Sequence, residues 1–334
     1  MREILSQMHT IARQSGDETL MMIAHISSGA QSLFVGDLLS AHDNASHAVA
    51  LYDHAQHKDL LYVHGEALGI TALCLMAFAA WMRGHPDQAE QCFERAMQLA
   101  EDFDLPFCYA GFYSLLVVHA YFCGDVPRVR RAAEKGLTLT TEHQFIFYQA
   151  ITLCFDGWAR CEENQAEAGF QRLQEGIAIC RPTGTRLQLY TGLMLLAQSC
   201  LRLGLVQEGL DAVAEALREQ HDIHWLNAEL YRTRGELLLA RERQRHLVEI
   251  TRPGHSEAEA CFQRALDIAA AQGAQSWALR TMLSRCRLWQ QQGRAAEAYR
   301  ELQAIYDAFT EGFQTKDLRE AQALLMALAA SQSA

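Results

Sequence analysis

Cysteine thiols are the most numerous candidates for covalent or metal chemistry in this sequence. Ten cysteines occur among 334 residues, and no two of them form a C-x-x-C pair. A disulfide framework or a zinc site would instead show clustered cysteines at short spacings. Most of the ten lie in apolar stretches such as LCLM and ITLCF, which is typical of buried thiols. The spacing therefore predicts no disulfides and a reducing compartment, the cytoplasm.

Histidine is concentrated near the N-terminus, and two of these residues have a spacing that can hold a metal ion. His54 and His57 lie three residues apart near a predicted helix end, a separation that occurs in metal sites. No H-E-x-x-H motif accompanies them. We therefore predict no metal and no cofactor. The five residues interpreted as solvated helix-surface histidines are His42, His47, His54, His57 and His64.

An enzymatic site would need a nucleophile with a base, or two carboxylates, in one pocket. The nearest constellation is Cys161, Glu162 and Glu163, three consecutive residues at a predicted helix end. The sequence contains no G-x-x-x-x-G-K-[ST] phosphate-binding loop. It therefore predicts that the protein is not an enzyme, and it favours non-covalent recognition.

Composition and charge exclude further classes of protein. Half of the residues are apolar and 21% are charged, as expected of a chain that buries a core. The net charge of −11 argues against nucleic acid as a partner. The segment 105–124 is uncharged and of membrane-spanning length, but it contains Pro106 and polar residues and lacks basic flanks. We interpret this segment as a core helix and expect no membrane association.

A repeat of about 40 residues organises the whole chain. The segment GHPDQAEQCFERAMQLA places Ala89, Phe93 and Ala96 five, nine and twelve residues after Gly84. Small and large residues recur at the same offsets after six other positions, with intervals of 40 residues and two longer ones. These offsets place the residues on one face of a helix. The seven anchors are Gly36, Gly84, Gly124, Asn164, Gly204, Pro253 and Gly293.

The repeat predicts an all-α, right-handed α-solenoid of about seven helical hairpins that spans residues 1–334. In each unit an apolar helix A precedes the anchor and helix B follows it. The five prolines fall at proposed helix starts or connections. Residues 241–256 are predicted to be a loop insertion, with a capping box between Ser256 and Glu259, and residues 317–334 a capping helix and tail.

The pattern Ala-x-x-x-Phe-x-x-Ala resembles that of tetratricopeptide repeats (TPR), and HEAT repeats of similar period would not explain it. The segments AELYRTRGELLLA, EAEACFQRALDIAAAQGAQSWALR and FTEGFQTKDLREAQALL resemble the C-terminal repeat region of large bacterial signalling proteins. Those proteins carry a class III nucleotide cyclase domain and an AAA/STAND-type ATPase domain. The resemblance implies a regulatory arm without catalytic residues, either as part of such a protein or as a stand-alone homologue.

Helix A lines the concave surface in TPR folds, where partners bind. Projection of that geometry predicts a groove that is aromatic in the N-terminal repeats and charged in the C-terminal ones. Such a groove suits a peptide or helix with an acidic end. The alternative is that tight superhelical packing simply buries these aromatic side chains. The predicted partner-binding residues are Phe78, Trp81, Tyr121, Trp158, Met194, Arg202, Arg232, Arg280 and Arg287.

Two functions remain open from the sequence. The first is a regulatory arm that binds a protein partner, or other domains of its parent signalling protein, in the concave groove. The second is a sensor in which the aromatic half of the groove closes over a small effector molecule. An oligomerisation spacer is a third, purely structural interpretation.

Overall fold

Helices account for all regular secondary structure in the part of the chain that the structure describes. The computed structural model describes residues 2–219, 222–245 and 256–332, and these residues form eighteen α-helices without a strand. The helices are α1 (Arg2–Ser15), α2 (Glu18–Val35), α3 (Leu38–Leu51), α4 (His54–His57), α5 (Leu60–His64), α6 (Leu68–Met82), α7 (Pro86–Phe103), α8 (Pro106–Phe122), α9 (Val126–Glu142), α10 (Ile146–Glu162), α11 (Ala166–Thr183), α12 (Arg186–Leu203), α13 (Val206–Glu219), α14 (Asn227–Arg245), α15 (Ser256–Gln272), α16 (Gln275–Gln291), α17 (Ala295–Tyr306) and α18 (Lys316–Gln332).

Seven helical hairpins follow one another along the described chain. In each hairpin the A helix packs against the B helix that follows it along the chain. The seven pairs are α2 with α3, α6 with α7, α8 with α9, α10 with α11, α12 with α13, α14 with α15, and α16 with α17. Helix α1 packs on α2, and α18 packs on α16 and α17 at the other end. The prediction of an all-α solenoid of seven hairpins with a C-terminal capping helix is confirmed.

The anchors end the A helices because their backbone leaves the right-handed helical region. Gly84 and Gly124 have φ angles of 92° and 68°, where a side chain would be strained. Asn164 takes the same role at φ 63°, which asparagine tolerates better than most residues. Pro253 lies outside the described residues.

Small residues allow the two helices of a hairpin to approach closely. A Cβ atom placed on Gly157 of α10 would lie 2.6 Å from the carbonyl oxygen of Gly169 in α11. On α7, Ala89, Phe93 and Ala96 are all buried. The repeated offsets therefore mark the face that each B helix buries.

The two insertions differ in structure, and the predictions for the second insertion and for Pro182 need correction. The first contains the short helices α4 and α5. At the second insertion, α14 continues to Arg245, so the first five residues of the predicted loop are helical. Residues 246–255 and the side chain of Ser256 lie outside the described residues, and so does the predicted capping box between Ser256 and Glu259. Pro182 lies in the last turn of α11 rather than at a connection.

None of the described helices, α8 included, is long and apolar enough to cross a membrane.

The superhelix curls until its late repeats contact its early ones. Ser276 of α16 donates a hydrogen bond of 2.6 Å to the carbonyl oxygen of Trp81 in α6. The backbone N–H of His224 donates to the carbonyl oxygen of Phe34 in α2 at 2.7 Å. Helix α16 therefore packs against α6, and the concave side becomes an interior.

Five aromatic side chains fill the middle of this interior, and we call them the aromatic plug. Phe122 lies at their centre, with ring centroids 4.8–5.9 Å from the other members it contacts. The members are Phe78, Trp81, Phe122, Trp225 and Trp277. All five are buried, so the plug replaces the open groove that the projection of TPR geometry predicts.

Candidate functional site

Two sizeable pockets lie near the aromatic plug, and the first of them is polar. This polar pocket has a volume of about 270 Å³. Its wall combines five basic and four acidic side chains with two aromatic ones. It is lined by Tyr121, Gly124, Trp158, Glu162, Gln198, Leu201, Arg202, Glu229, Arg232, Arg280, Leu283, Ser284, Arg287, Lys316, Asp317 and Glu320.

A buried carboxylate organises the deep part of the polar pocket. Glu229 is 1% exposed, and Arg232 donates to its two oxygens at 2.7 and 2.8 Å. Gln198 donates to the same carboxylate at 2.8 Å. Burial raises the pKa of Glu229, but the guanidinium groups of Arg232 and Arg280 together with Gln198 outweigh burial and lower it. Glu229 is therefore a fully paired anion.

Arg280 joins three separate parts of the chain at this pocket. Its Nε and Nη2 atoms donate to Asp317 of α18 at 2.9 and 2.6 Å. Nη2 also donates to the carbonyl oxygen of Phe122 at 2.8 Å, and the guanidinium lies over the rings of Trp81 and Trp277. The carboxylates of Asp317 and Glu229 raise the pKa of Arg280 against the opposing effect of burial. The network thus closes the superhelix.

The mouth of the polar pocket is also occupied by internal pairs. Arg287 is half exposed and contacts Glu320 at 2.7 Å. Arg202 donates to the side chain of Asn164 at 3.2 Å. Both arginine side chains are exposed, and each already contacts another side chain of the protein.

The second pocket is apolar and larger, with a volume of about 340 Å³. It lies near the first turns of α6, α8, α10 and α12, beside the end of α2. Seven of its lining residues are aromatic, and Phe78 and Trp225 belong also to the plug. It is lined by Ala30, Leu33, Phe34, Glu66, Ala67, Ile70, Thr71, Leu75, Phe78, Phe107, Cys108, Gly111, Phe112, Ser114, Leu115, Val118, Phe147, Tyr148, Ile151, Leu187, Gln188, Thr191 and Trp225.

The structure divides the nine predicted partner-binding residues among four places. Phe78 lines the apolar pocket, Trp81 lies in the plug, and Met194 is fully buried and lines neither pocket. Tight packing buries all four predicted aromatic residues, as the alternative interpretation expects, and none is more than 7% exposed. They are Phe78, Trp81, Tyr121 and Trp158. Six predicted residues line the polar pocket: Tyr121, Trp158, Arg202, Arg232, Arg280 and Arg287.

Most of the apolar pocket was not predicted, although the sequence carries a signal for it. The residues seventeen positions before four successive anchors all line this pocket. They recur every 40 residues and are Ala67, Phe107, Phe147 and Leu187. The predicted groove residues Phe78, Trp158 and Met194 lie seven or eleven positions later along the chain, so the predicted groove does not include this row.

Among the histidine and cysteine candidates, His57 and Cys161 are buried. His57 is buried, not solvated as predicted, and its Nδ1 accepts a hydrogen bond from the backbone N–H of Asp53. No group of three metal-ligating side chains occurs in the described part of the chain. Burial raises the pKa of Cys161, the opposite of what an activated thiolate needs. Glu163 lies 3.4 Å from Arg130 in an ion pair.

Comparisons with known proteins give distant similarities. No protein-family model matches the chain. A protein of Rhizobium meliloti (strain 1021), described as uncharacterized, is 23% identical over 201 residues; the match covers 59% of this chain and 19% of that protein. The chain therefore spans about a fifth of the length of this relative.

Two solved structures are similar over most of the chain at low identity. A tetratricopeptide repeat protein from Parabacteroides merdae is 12% identical with a TM-score of 0.46, covering 92% of this chain and 99% of that one. A STAND protein with a tetratricopeptide repeat sensor from Pyrococcus horikoshii is 13% identical with a TM-score of 0.45; the coverage is 94% of this chain and 45% of that one.

Proposed function

We propose that this protein is a non-catalytic sensor module that binds a small effector molecule in the apolar pocket. The observation that carries this function is the pocket itself, a preformed cavity of about 340 Å³ whose wall is almost entirely apolar. Small-molecule sites are typically concave, largely preformed and apolar, with few polar groups.

We further propose that effector binding regulates a signalling ATPase or nucleotide cyclase in the bacterial cytoplasm. The resemblance of FTEGFQTKDLREAQALL and related segments to the repeat region of such proteins supports this assignment. The relative from Rhizobium meliloti is about five times as long as the matched region, which leaves room for further domains there. The early and late repeats meet at the plug, so an effector beside Phe78 would alter that contact.

Titration with N-phenyl-1-naphthylamine, a fluorescent apolar probe, tests effector binding. We expect saturable binding by the wild-type chain and loss of binding in Ile151→Trp, which places an indole inside the pocket. Ile146→Trp is the matched control, because Ile146 lies on the same helix, is 52% exposed and does not line the pocket. Equal binding by both variants, or no binding by the wild type, would refute the proposal.

A protein partner is the second candidate, favoured by an exposed apolar rim that includes the pocket residue Phe147. Tyr62, Val63, Ile146 and Phe147 are 52–76% exposed, on segments that precede α6 and begin α10. Large exposed apolar side chains that lie close together mark interaction surfaces. We propose that this rim contacts another domain of a parent signalling protein.

Site-specific photo-crosslinking tests that contact. Benzoylphenylalanine at Tyr62 should crosslink to an ATPase or cyclase domain in cells that produce the full-length parent protein. The control position is Leu39, which is 58% exposed on α3. Crosslinks of equal yield from both positions, or none from Tyr62, would count against the rim as an interface.

A further inference from the structure

We propose that the apolar pocket selects a hydrophobic amine, whose ammonium group pairs with Glu66 while its apolar body lies among the aromatic rings. This inference rests on the proposed function, since it specifies the chemical class of the effector.

Among the described residues, the pocket lining carries a single charged side chain. Of its twenty-three described lining residues, Glu66 is the one acid, and no lysine, arginine or histidine accompanies it. The polar pocket differs, because its four acids stand beside five bases. Complementarity to one anion in an apolar cavity favours a cation over a neutral or anionic ligand.

The geometry of Glu66 leaves part of its carboxylate free for a ligand. Thr71 donates a hydrogen bond of 2.7 Å to Oε1 and so orients the carboxylate. Oε2 has no hydrogen-bond partner within the described ranges of the chain. The side chain is half-buried, so its charge remains hydrated at the pocket edge and meets a ligand there.

The aromatic walls add a second attraction for a cation. Seven rings line the pocket, and Tyr148 and Phe107 lie 5.5 Å apart near its N-terminal helix turns. An ammonium group over a ring face is attracted by the negative face of the π system. An anionic ligand would gain neither this attraction nor a pair with Glu66.

The other ionisable groups of the lining are neutral near pH 7. Burial, with smaller contributions from Glu66 and Cys108, raises the pKa of Tyr148 to about 12. Burial raises the pKa of Cys108 to about 11. Neither side chain therefore adds a charge that would change the preference for a cation.

A purely structural role for Glu66 is the competing explanation. The residue directly precedes the N-cap of α6, where a negative charge stabilises the helix dipole. That role concerns the free energy of unfolding and predicts no preference among ligands of the same shape. Ligand selectivity therefore distinguishes the two roles.

Competition by three ligands of one shape tests the inference. The ligands are 4-phenylbutylamine, 4-phenylbutanol and 4-phenylbutanoate, each displacing N-phenyl-1-naphthylamine from the full chain. We expect the amine to bind about tenfold more tightly than the alcohol and the acid to bind more weakly than both. Glu66→Gln, which can still accept from Thr71, should make the amine and the alcohol equal and leave the affinity for the alcohol unchanged.

The outcomes separate this inference from the proposed function. Equal binding of amine and alcohol by the wild type overturns the inference and leaves the sensor function standing, as does a preference that survives Glu66→Gln. Failure of all three ligands and of the probe overturns both. If Glu66→Gln does not fold, weakening of the amine alone by added salt supports the ion pair, and equal salt dependence of amine and alcohol overturns it.

Discussion

The two pockets share walls from α8, α10 and α12, yet their polar groups are used in opposite ways. In the polar pocket, Glu229, Arg232 and Arg280 bond to each other and to neighbouring side chains. In the apolar pocket, Glu66 has a single hydrogen-bond partner, Thr71, among the described residues. The polar pocket therefore holds the superhelix closed, whereas Glu66 of the apolar pocket keeps one carboxylate oxygen without a hydrogen-bond partner in the described part of the chain.

This difference shows that arginine and aromatic residues on a concave surface do not by themselves mark a ligand site. When the superhelix curls until α16 contacts α6, side chains that would face a partner face each other instead. Their mutual pairing then contributes to closure. The pocket that is left without such pairs is the better candidate for binding.

The largest effect is expected from Arg280→Leu, which removes the contacts that close the superhelix at the polar pocket. Arg280→Leu leaves Asp317 and the Phe122 carbonyl without their donor, so we expect a loss of about 3–5 kcal/mol in the free energy of unfolding. Arg287→Leu is the matched control and should lose less than about 1 kcal/mol, because its pair with Glu320 is exposed. Urea unfolding followed by circular dichroism measures both. Equal losses would show that the buried network does not close the superhelix.

A second, smaller effect is a pH dependence confined to the polar pocket. The paired guanidinium groups hold the pKa of Glu229 below its ordinary 4.5, so its contribution to stability is complete above that pH and is lost as pH falls through the lower, folded-state pKa. Glu229→Gln mimics the protonated acid, and we expect it to be about 2–3 kcal/mol less stable than the wild type at pH 7. This deficit should shrink below pH 4.5.

The control for the pH effect comes from the apolar pocket. Phe112→Leu removes part of a buried ring that has no neighbouring paired charge in this wall. Its deficit relative to the wild type should be the same at pH 7 and at pH 4. A deficit of Glu229→Gln that stays constant over this range would contradict the assignment of Glu229 as a paired anion.

The fold could be predicted from the sequence because each repeat carries its own signals. Anchors with a left-handed backbone, such as Gly84, and buried residues at fixed offsets after them, such as Phe93, recur along the chain. Contacts between neighbouring helices such as α6 and α7 bury these residues locally. Closure of the superhelix depends instead on contacts between distant residues, such as Ser276 with Trp81. No repeat period encodes the total curvature that brings these two residues together.

The candidate site was predictable only in part for the same reason. The projection from TPR geometry predicts Arg232 and Arg280 to be exposed, partner-binding residues of the groove, but their side chains are only 15% and 13% exposed in the polar pocket. The buried carboxylate of Glu229, which is not among the predicted partner-binding residues, pairs with both. Phe107 and Phe147 of the apolar pocket lie in the first turns of α8 and α10, upstream of the groove residues predicted on those two helices.

The smallest expected effect compares one hydroxyl group in each pocket. Tyr121 Oη of the polar pocket accepts a hydrogen bond of 2.9 Å from Gln198, whereas Tyr148 Oη of the apolar pocket has no hydrogen-bond partner among the described residues. Tyr121→Phe should therefore cost about 1 kcal/mol of unfolding free energy, and Tyr148→Phe should stay within about 0.5 kcal/mol of the wild type. Chemical denaturation of the two variants measures this difference.

The two hydroxyls also differ in what a ligand would change. An amine bound beside Glu66 can donate to Tyr148 Oη, so Tyr148→Phe should weaken 4-phenylbutylamine binding severalfold while Tyr121→Phe leaves it unaltered. A larger loss of amine affinity in Tyr121→Phe would place the ligand in the polar pocket and reverse the roles assigned to the two pockets. The same pair of substitutions thus measures the closure of the polar pocket and identifies which of the two pockets holds the amine.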